Sequence, residues 1–373
     1  MFNVYLAFFL SIVPIGKNSS LTDATKILDF AAVGDIFFGR SGKKFGLDHP
    51  FRYVKKYFQD KDIVAGNLET PFSLKRYRNR RKPRQCKYKK CSPDEARYAR
   101  NHMLTFWGRP RGAEILKKAG FTILGTANNH TFDQGKKGLL ETISILEKSG
   151  LGVTGSGKIL EKAWKPHIIN KNGIKVGIIS VTTLYNFPPP KKGAFYAYSP
   201  FRGNYKYLPP VITKLKKQVD FAVLMLHFGE EYKNTAFRFE KNLMDLLAKA
   251  GLDLLIGSHP HVLRGIQIKG KMIAFWSLGN FLFDNTWKSR KYSGIATLRF
   301  VKKGKLKRME KIKFIPVVLN GPSAKDKKYG KLPRPAGKKW SRIINRKVRR
   351  YSRTFKNIGK LKIDGNHLNV ILP

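Results

Sequence analysis

His259 and His261 are the two residues of this chain best placed to do chemistry, set in Gly257-Ser258-His259-Pro260-His261-Val262. An apolar run over 252–256 precedes them and a second over 263–268 follows, so both histidines fall at the end of a buried strand. Residues i and i+2 project to the same side of an extended backbone, and Pro260 stiffens the turn between them, so the imidazoles converge. Convergent imidazoles make a metal site. Taken alone, the turn leaves a second reading open, a pair of surface histidines.

The remaining strand ends change that balance. Of the eight histidines, His130, His227, His259 and His261 all sit just past predicted buried strands. Asp35, Asn67, Glu69 and Asn129 occupy equivalent places. Neutral imidazole, carboxylate and amide carbonyl together suit Mn, Zn or Fe, as one ion or two. In open α/β sheets, sites lie beyond the carboxyl ends of the strands. Around them, Asp133 is placed to cap the following helix, Asn67 to cap a turn, and Ser277, Asn280 and Glu230 to act as structural or supporting groups. Gly-x-Ser-x-Gly, a P-loop and a Gly-rich dinucleotide fingerprint are all missing, which removes serine hydrolases, P-loop NTPases and dehydrogenases. Metal-assisted hydrolysis is the chemical class the residue types favour.

Strand, polar loop, helix and strand recur along the chain, the pattern of a layered α/β fold. Strands are expected over 27–38, breaking at Gly34-Asp35, and over 62–66, 121–125, 153–155, 174–182, 221–226, 272–276, 295–301 and 312–318. Helical spacing is read over 51–58, 112–119 (closed by Gly120), 136–148 and 239–250. Residues 186–210, rich in Pro, Gly and aromatics, read as a long loop over one end of the sheet. Trp340, Ile343, Ile344, Val348 and Tyr351 trace an apolar stripe on a basic helix, which docks on the core in preference to a membrane.

With 373 residues and 42% hydrophobic composition the chain buries a sizeable core. Its 74 Lys and Arg against 24 Asp and Glu give a net charge of +50, which attracts polyanions: acidic polypeptide, nucleic acid or an anionic membrane surface. Ten of the sixteen residues from 75 to 90 are basic, among them Arg76, Arg78, Arg80, Arg81 and Arg84, in an exposed loop suited to a polyanion or to simple solvation. Cys86 and Cys91 are the only cysteines; they make neither a disulfide framework nor a zinc ribbon, and a local disulfide in an exported chain and two unpaired thiols both stay open. The apolar stretch 4–16 is too short for the roughly 20 residues of a transmembrane helix but fits a signal-peptide core. The organisation expected is a leader or anchor over 1–26, one domain over 27–320 with a basic insertion at 74–100, and a basic extension over 321–373.

Six motifs in order resemble one family: Val33-Gly34-Asp35, Gly66-Asn67-Leu68-Glu69-Thr70-Pro71, Ala127-Asn128-Asn129-His130 with Asp133 and Gly135, His227-Phe228-Gly229-Glu230-Glu231-Tyr232, Gly257 to Val262, and Ser277-Leu278-Gly279-Asn280-Phe281. Together they look like the CapA/PgsA proteins of capsule and poly-γ-glutamate synthesis, within the calcineurin-like metallophosphoesterase superfamily. The resemblance implies a four-layer α/β/β/α sandwich with two mixed sheets. It also implies a place outside the membrane and a part in making, exporting or releasing an anionic polypeptide.

Matched to the superfamily pattern, Asp35, Asn129, His227, His259 and His261 stand at metal-ligand positions. His130 takes that of the substrate-facing acid or transition-state stabiliser. Phe37 stands where a second first-strand ligand, a histidine, is usual. Asn67 replaces the bridging Asp, leaving Glu69 as its substitute, so catalysis is not inherited with the fold. Three functions follow as expectations. The first is an extracytoplasmic metal-dependent hydrolase or transferase acting on an anionic polymer such as poly-γ-glutamate. The second is a non-catalytic assembly factor of a membrane synthase, and the third a phosphoesterase acting on nucleotides or nucleic acid, which export would count against.

Overall fold

The computed structural model describes residues 24–38, 50–77, 105–186, 207–284, 288–319, 332–355 and 360–372. Most of the leader, Arg78, Arg80, Arg81, Arg84, Cys86, Cys91 and most of the 186–210 loop lie outside the described residues.

The chain builds two mixed sheets. Strands β1 (Lys26–Ile36), β2 (Ile63–Leu68), β3 (Ile123–Gly125) and β4 (Gly152–Thr154) open the first and run parallel to one another. The second contains β5 (His167–Lys171), β6 (Ile174–Thr182), β7 (Phe221–His227), β8 (Leu254–Ser258), β9 (Ile266–Lys269) and β10 (Met272–Phe275). The chain then returns to the first sheet with β11 (Asn280–Leu282), β12 (Tyr292–Lys303), β13 (Leu306–Val318), β14 (Arg334–Pro335), β15 (Lys360–Asp364) and β16 (His367–Ile371). Parallel β6, β7, β8 and β10 form the centre of the second sheet, with antiparallel β5 and β9 at its edges.

Side-chain alternation explains the layering. On β7, Phe221, Val223 and Met225 enter the core between the sheets, while Ala222, Leu224 and Leu226 enter the core on the outer face. Strands covered on both faces read as continuous apolar runs, as β7 does. Six helices complete the described structure: α1 (Arg111–Ala119), α2 (Gly135–Lys148), α3 (Leu160–Trp164), α4 (Leu208–Lys216), α5 (Arg238–Lys249) and α6 (Lys338–Ser352). Ala113, Leu116 and Leu146 of α1 and α2 pack with Ala31, Val33 and Val64 on the outside of the first sheet. Ile212, Leu215, Leu243 and Leu247 of α4 and α5 cover the outside of the second. The result is the four-layer α/β/β/α sandwich with two mixed sheets.

Three expectations need correction. Strand β1 does not break at Gly34-Asp35 but runs on to Ile36, with its register to β2 shifting between Ala32 and Asp35. That irregularity turns Asp35 toward the site. Residues 51–58 form turns and a 3-10 segment, Lys55–Tyr57, and no α-helix; Phe51, Val54 and Phe58 still bury their side chains, so the spacing reported burial. From the 263–268 run only Ile266–Lys269 becomes strand, while Leu263 makes an isolated bridge with Leu278.

The stripe on α6 docks as expected: Ile344 and Val348 join the inter-sheet core. Strand β16 pairs with β13, so residues 360–371 extend the first sheet. Among the described residues no helix is long and apolar enough to cross a membrane.

Candidate metal centre

The carboxyl ends of β1, β2, β3, β7 and β8 open at one place. Asp35 sits in register with Asn67 on one side and Asn280 on the other. Its backbone N–H donates to the Gly279 carbonyl at 3.0 Å. Asn67 Nδ2 donates to Asp35 Oδ1 at 2.8 Å and lies 3.1 Å from His227 Nδ1. On the other edge of that ring, His227 Nε2 is 2.9 Å from Asn129 Oδ1 and 3.1 Å from His259 Nδ1. His261 Nδ1 lies 2.8 Å from Asn280 Oδ1 and 3.3 Å from Asp35 Oδ2. All these side chains are buried.

The two histidines converge by a route other than the extended backbone expected. His259 has φ 93 and His261 φ 56, both in the left-handed region that side chains with a Cβ avoid. Such positions cost of order 1–3 kcal/mol each and persist where the surroundings over-determine them. Here the surroundings are specific. The His259 N–H faces both Asp35 carboxylate oxygens at 3.4 and 3.3 Å, and the Tyr232 N–H donates to the Pro260 carbonyl at 2.8 Å.

Ligand atoms of Asp35, Glu69 and His227 all lie within 4.8 Å of one another, and those of Glu231, His259 and His261 form a second such trio. Glu69 tests whether this donor set fits a cation. It is fully buried, and neither carboxylate oxygen has a hydrogen-bond partner among the described residues. An unpaired buried carboxylate is costly, and a cation held with Asp35 and His227 removes the cost. Burial, reinforced by the Asp35 carboxylate, holds Glu69 well above the ordinary value of 4.5. Burial and the neighbouring imidazoles His259 and His261 push His227 well below 6.5, and burial with His261 and Arg264 does the same to His259. Neutral imidazole is the form that binds metal, so the residues fit. For His261, burial alone would lower the value, but the hydrogen bond and charge of Asp35 outweigh it and the net shift is upward.

These shifts carry a sign for metal binding. The upward shifts of Glu69 and His261 favour a proton that a cation must displace, whereas the downward shifts of His227 and His259 favour the neutral, metal-binding form. Titration calorimetry of Mn2+ or Zn2+ at pH 7 in buffers of different ionisation enthalpy is expected to find net proton release on binding. Glu69→Gln is expected to remove most of it; an unchanged count in that variant would place the proton elsewhere.

His130 stands beside this centre. Its Nδ1 is 2.7 Å from Asp133 Oδ2, which also accepts the Phe106 N–H at 2.6 Å. Asp133 therefore orients His130. The expected helix cap is not made by Asp133, since the N-cap of α2 is Gln134 and no side chain caps it. Phe106 stacks on the imidazole with centroids 3.6 Å apart. Phe37 packs against Phe106 at 4.1 Å and Phe283 at 4.9 Å, and Phe283 lies 4.8 Å from His261. Phe37 thus belongs to an apolar wall along the site.

Asn280 Oδ1 accepts from His261 Nδ1, and its Nδ2 donates to the Arg290 carbonyl at 3.4 Å. Ser277 Oγ accepts the Gly279 N–H at 3.2 Å, a local structural contact. Glu230 is not in either donor trio; its neighbour Glu231 is. Arg76 donates to Thr105 Oγ1 at 3.1 Å.

Sequence reasoning passed over several contributors. Asn186, at the start of the long loop, accepts from Asn129 Nδ2 at 3.1 Å and lies 3.3 Å from His130 Nδ1. Asn128 Oδ1 accepts the His130 N–H at 3.1 Å, and its amide donates to the Leu68 carbonyl at 2.8 Å. Fully buried Arg264 pairs with Glu240 of α5 at 3.1 Å, behind the two histidines. A buried-charge signal for Arg264 was available: an Arg inside an apolar run demands an acid nearby.

The chain is 31% identical over 292 residues to the "PGA biosynthesis protein CapA" of Bacillus subtilis (strain 168), covering 76% of this chain and 70% of that protein. It is 31% identical over 280 residues to the "Capsule biosynthesis protein CapA" of Bacillus anthracis, covering 72% of this chain but 62% of that one, under two thirds of its length. A 5'-nucleotidase from Candida albicans SC5314 aligns at TM-score 0.43 and 10% identity, over 87% of this chain and 58% of that one. Residues 29–285 match the family described as bacterial capsule synthesis protein PGA_cap, and the chain belongs to that family.

Proposed function

We propose that this protein is a metal-dependent hydrolase or transferase acting outside the membrane on an anionic polymer of the poly-γ-glutamate type. The observation that carries the reading is Glu69, a buried carboxylate beside Asp35 and His227 whose oxygens accept no hydrogen bond among the described residues, in a member of a capsule synthesis family. Asp35, Glu69, His227, Asn129, His259 and His261 are the residues that would hold divalent Mn, Zn or Fe. When bound, the metal would supply Lewis acidity toward the carbonyl or phosphoryl oxygen of the substrate and toward water.

The protein's own part follows from His130. Asp133 holds Nδ1, leaving Nε2 as the atom that gives or takes a proton, and stacking by Phe106 restricts the ring. Phe37, Phe106 and Phe283 keep water from one side of the site. The net charge of +50 draws an anionic chain toward the surface. Export rests on the apolar leader, and the basic surface also suits an anionic membrane or a membrane synthase as partner.

A second reading, a non-catalytic assembly factor, is favoured by Asn67, whose amide stands where a bridging carboxylate would be and binds Asp35 directly. Purified protein loaded with Mn2+ or Zn2+ and offered poly-γ-glutamate or a phosphodiester separates the readings. We expect chain shortening or transfer on poly-γ-glutamate, reduced at least about 100-fold in His227→Ala, in line with the 10²–10⁴-fold scale of acid–base and metal effects. Metal binding without turnover would leave the assembly role, and turnover confined to the phosphodiester would sink the polymer assignment.

A further inference from the structure

We propose that the outward face of α6, continued by Arg290 and Lys291, is a track that holds an extended polycarboxylate chain beside the metal centre. The class of ligand rests on the reading above. The helix lies past residues 29–285, so the family match does not account for it.

Six side chains of α6 are exposed, Lys338, Lys339, Arg342, Arg346, Arg349 and Arg350, and so is its C-cap, Arg353. All are cations. At about 100° of turn and about 1.5 Å of rise per residue, they fall within an arc of about 120° and form a ridge about 22 Å long. The described helices α1, α2, α3 and α5 each carry at least one acid among their cations, whereas α6, the longest at 15 residues, carries none. Nor does any cation of the ridge have an acidic partner among the described residues. Cations four positions apart, such as Arg342 and Arg346, therefore repel, and Lys338 and Lys339 oppose the positive end of the helix dipole. A bound polyanion relieves both.

The ridge stands on a fixed base. Ile344 and Val348 are buried in the inter-sheet core, Ser341 Oγ donates to the Ala336 carbonyl at 2.7 Å, and Asn345 Nδ2 donates to the Asn366 carbonyl at 3.2 Å. At the far end, Ser352 Oγ donates to the Val348 carbonyl at 2.8 Å and accepts the Ile266 N–H at 2.9 Å. Cations on a fixed scaffold lose less freedom when a ligand binds.

Two residues join the ridge to the centre. The Arg290 guanidinium lies 3.7 Å over the ring of Tyr232, whose centroid is 6.1 Å from that of His261. Asn280, the partner of His261 Nδ1, donates to the Arg290 carbonyl. Next in sequence, Lys291 Nζ lies 4.7 Å over the ring of Trp340 in the first turn of α6. Adjacent cations thus face the centre and the helix in turn. A narrow ridge that continues to the rim of a site suits a linear chain. Ile344, Val348 and Tyr351 are turned into the core, so the basic face keeps no large apolar side chain to insert into a bilayer.

Fluorescence anisotropy of labelled poly-γ-glutamate with the full chain, at about 150 mM salt, tests the track. Glutamine at Arg342, Arg346, Arg349 and Arg353 together should leave the circular dichroism unchanged, weaken binding at least about 30-fold and flatten its salt dependence. Lysine at the same four positions should keep binding within about 3-fold, since the charge remains. Glutamine at Lys214, Lys217, Lys249 and Lys271 removes the same charge from exposed positions elsewhere and should also cost less than about 3-fold. Should the ridge variant fold poorly, the pair Arg342→Gln and Arg346→Gln carries the same comparison with a smaller loss. Equal losses in the two glutamine sets would mean that overall charge holds the polymer, and would overturn the track. So would a ridge variant that keeps the polymer but no longer sediments with vesicles of phosphatidylglycerol and phosphatidylcholine, which would give the face to a membrane. Anisotropy needs no turnover: ridge-dependent binding without chain shortening or transfer supports the track and counts against the enzyme, and turnover with binding unchanged in the ridge variant does the reverse.

Discussion

Replacing Glu69 by glutamine is expected to stabilise the metal-free protein and, in the same step, to abolish the stabilisation that metal confers. Burial and the Asp35 carboxylate raise the folded-state value of Glu69 above 4.5. A raised carboxyl favours folding fully below the unfolded value and loses that contribution as pH rises through the folded one. At pH 7 the wild type without metal therefore carries the cost of an unpaired buried acid, about 1–3 kcal/mol on the scale of buried unsatisfied groups. Glutamine has the same shape without the ionisation, so unfolding of the stripped variant at pH 7 should come at higher denaturant, and the advantage should vanish toward pH 4. With Mn2+ or Zn2+ the order reverses. A ligand at 100 times its Kd adds about 2.7 kcal/mol to the wild type, and the glutamine variant should gain almost none. The two depressed histidines act in the other direction: their contribution is present above 6.5 and is lost as pH falls toward their folded values. They belong to both proteins and cancel in the comparison. A glutamine variant that is less stable without metal, or that keeps the full metal-dependent gain, would show that Glu69 has a partner and is no ligand.

Gly34→Ala should damage both the fold and the site. A Cβ on Gly34 would stand 1.9 Å from the Gly279 carbonyl oxygen and 3.0 Å from its carbon. Both are backbone atoms, and Gly279, at φ 68, is itself boxed in by the Tyr292 carbonyl. No side chain is there to rotate away, so β1 and the segment entering β11 must part by more than 1 Å on van der Waals grounds. That movement breaks the bond from the Asp35 N–H to Gly279 and displaces the carboxylate next to it. Overpacking typically costs 1–3 kcal/mol, and contact of backbone on backbone puts this case at about 3 kcal/mol or above. Thermal unfolding by circular dichroism should shift down by roughly 5–10 °C, and metal affinity should fall at least about 10-fold. Unchanged unfolding and metal binding would mean that β11 has room to move.

Much of the fold was legible because its signals are local. The alternation on β7, the apolar faces of α1, α2 and α5 and the turn at Gly120 each lie within a dozen or so residues. The core contacts they make are what such patterns imply. Residues 51–58 were misread for the same reason: three aromatic and apolar side chains at helical spacing report a buried face, and a 3-10 turn satisfies that as well.

The sequence by itself determined which donors exist and that they gather at strand ends, since a parallel strand delivers whatever follows its last buried residue to one edge of the sheet. Asp35, Asn129, His227, His259 and His261 were readable on that ground. Only the tertiary structure decided how they meet. The contact of Asn67 with His227 spans 160 positions and that of the His259 N–H with Asp35 spans 224, and no local pattern encodes either. The same long-range contacts hold His259 and His261 in left-handed conformations and leave both Glu69 oxygens without a hydrogen bond among the described residues. They turn Phe37 into part of an aromatic wall and bring Glu231, not Glu230, to the histidines. Backbone sign, pairing and desolvation depend on what each residue touches, and those contacts exist only once the two sheets have packed.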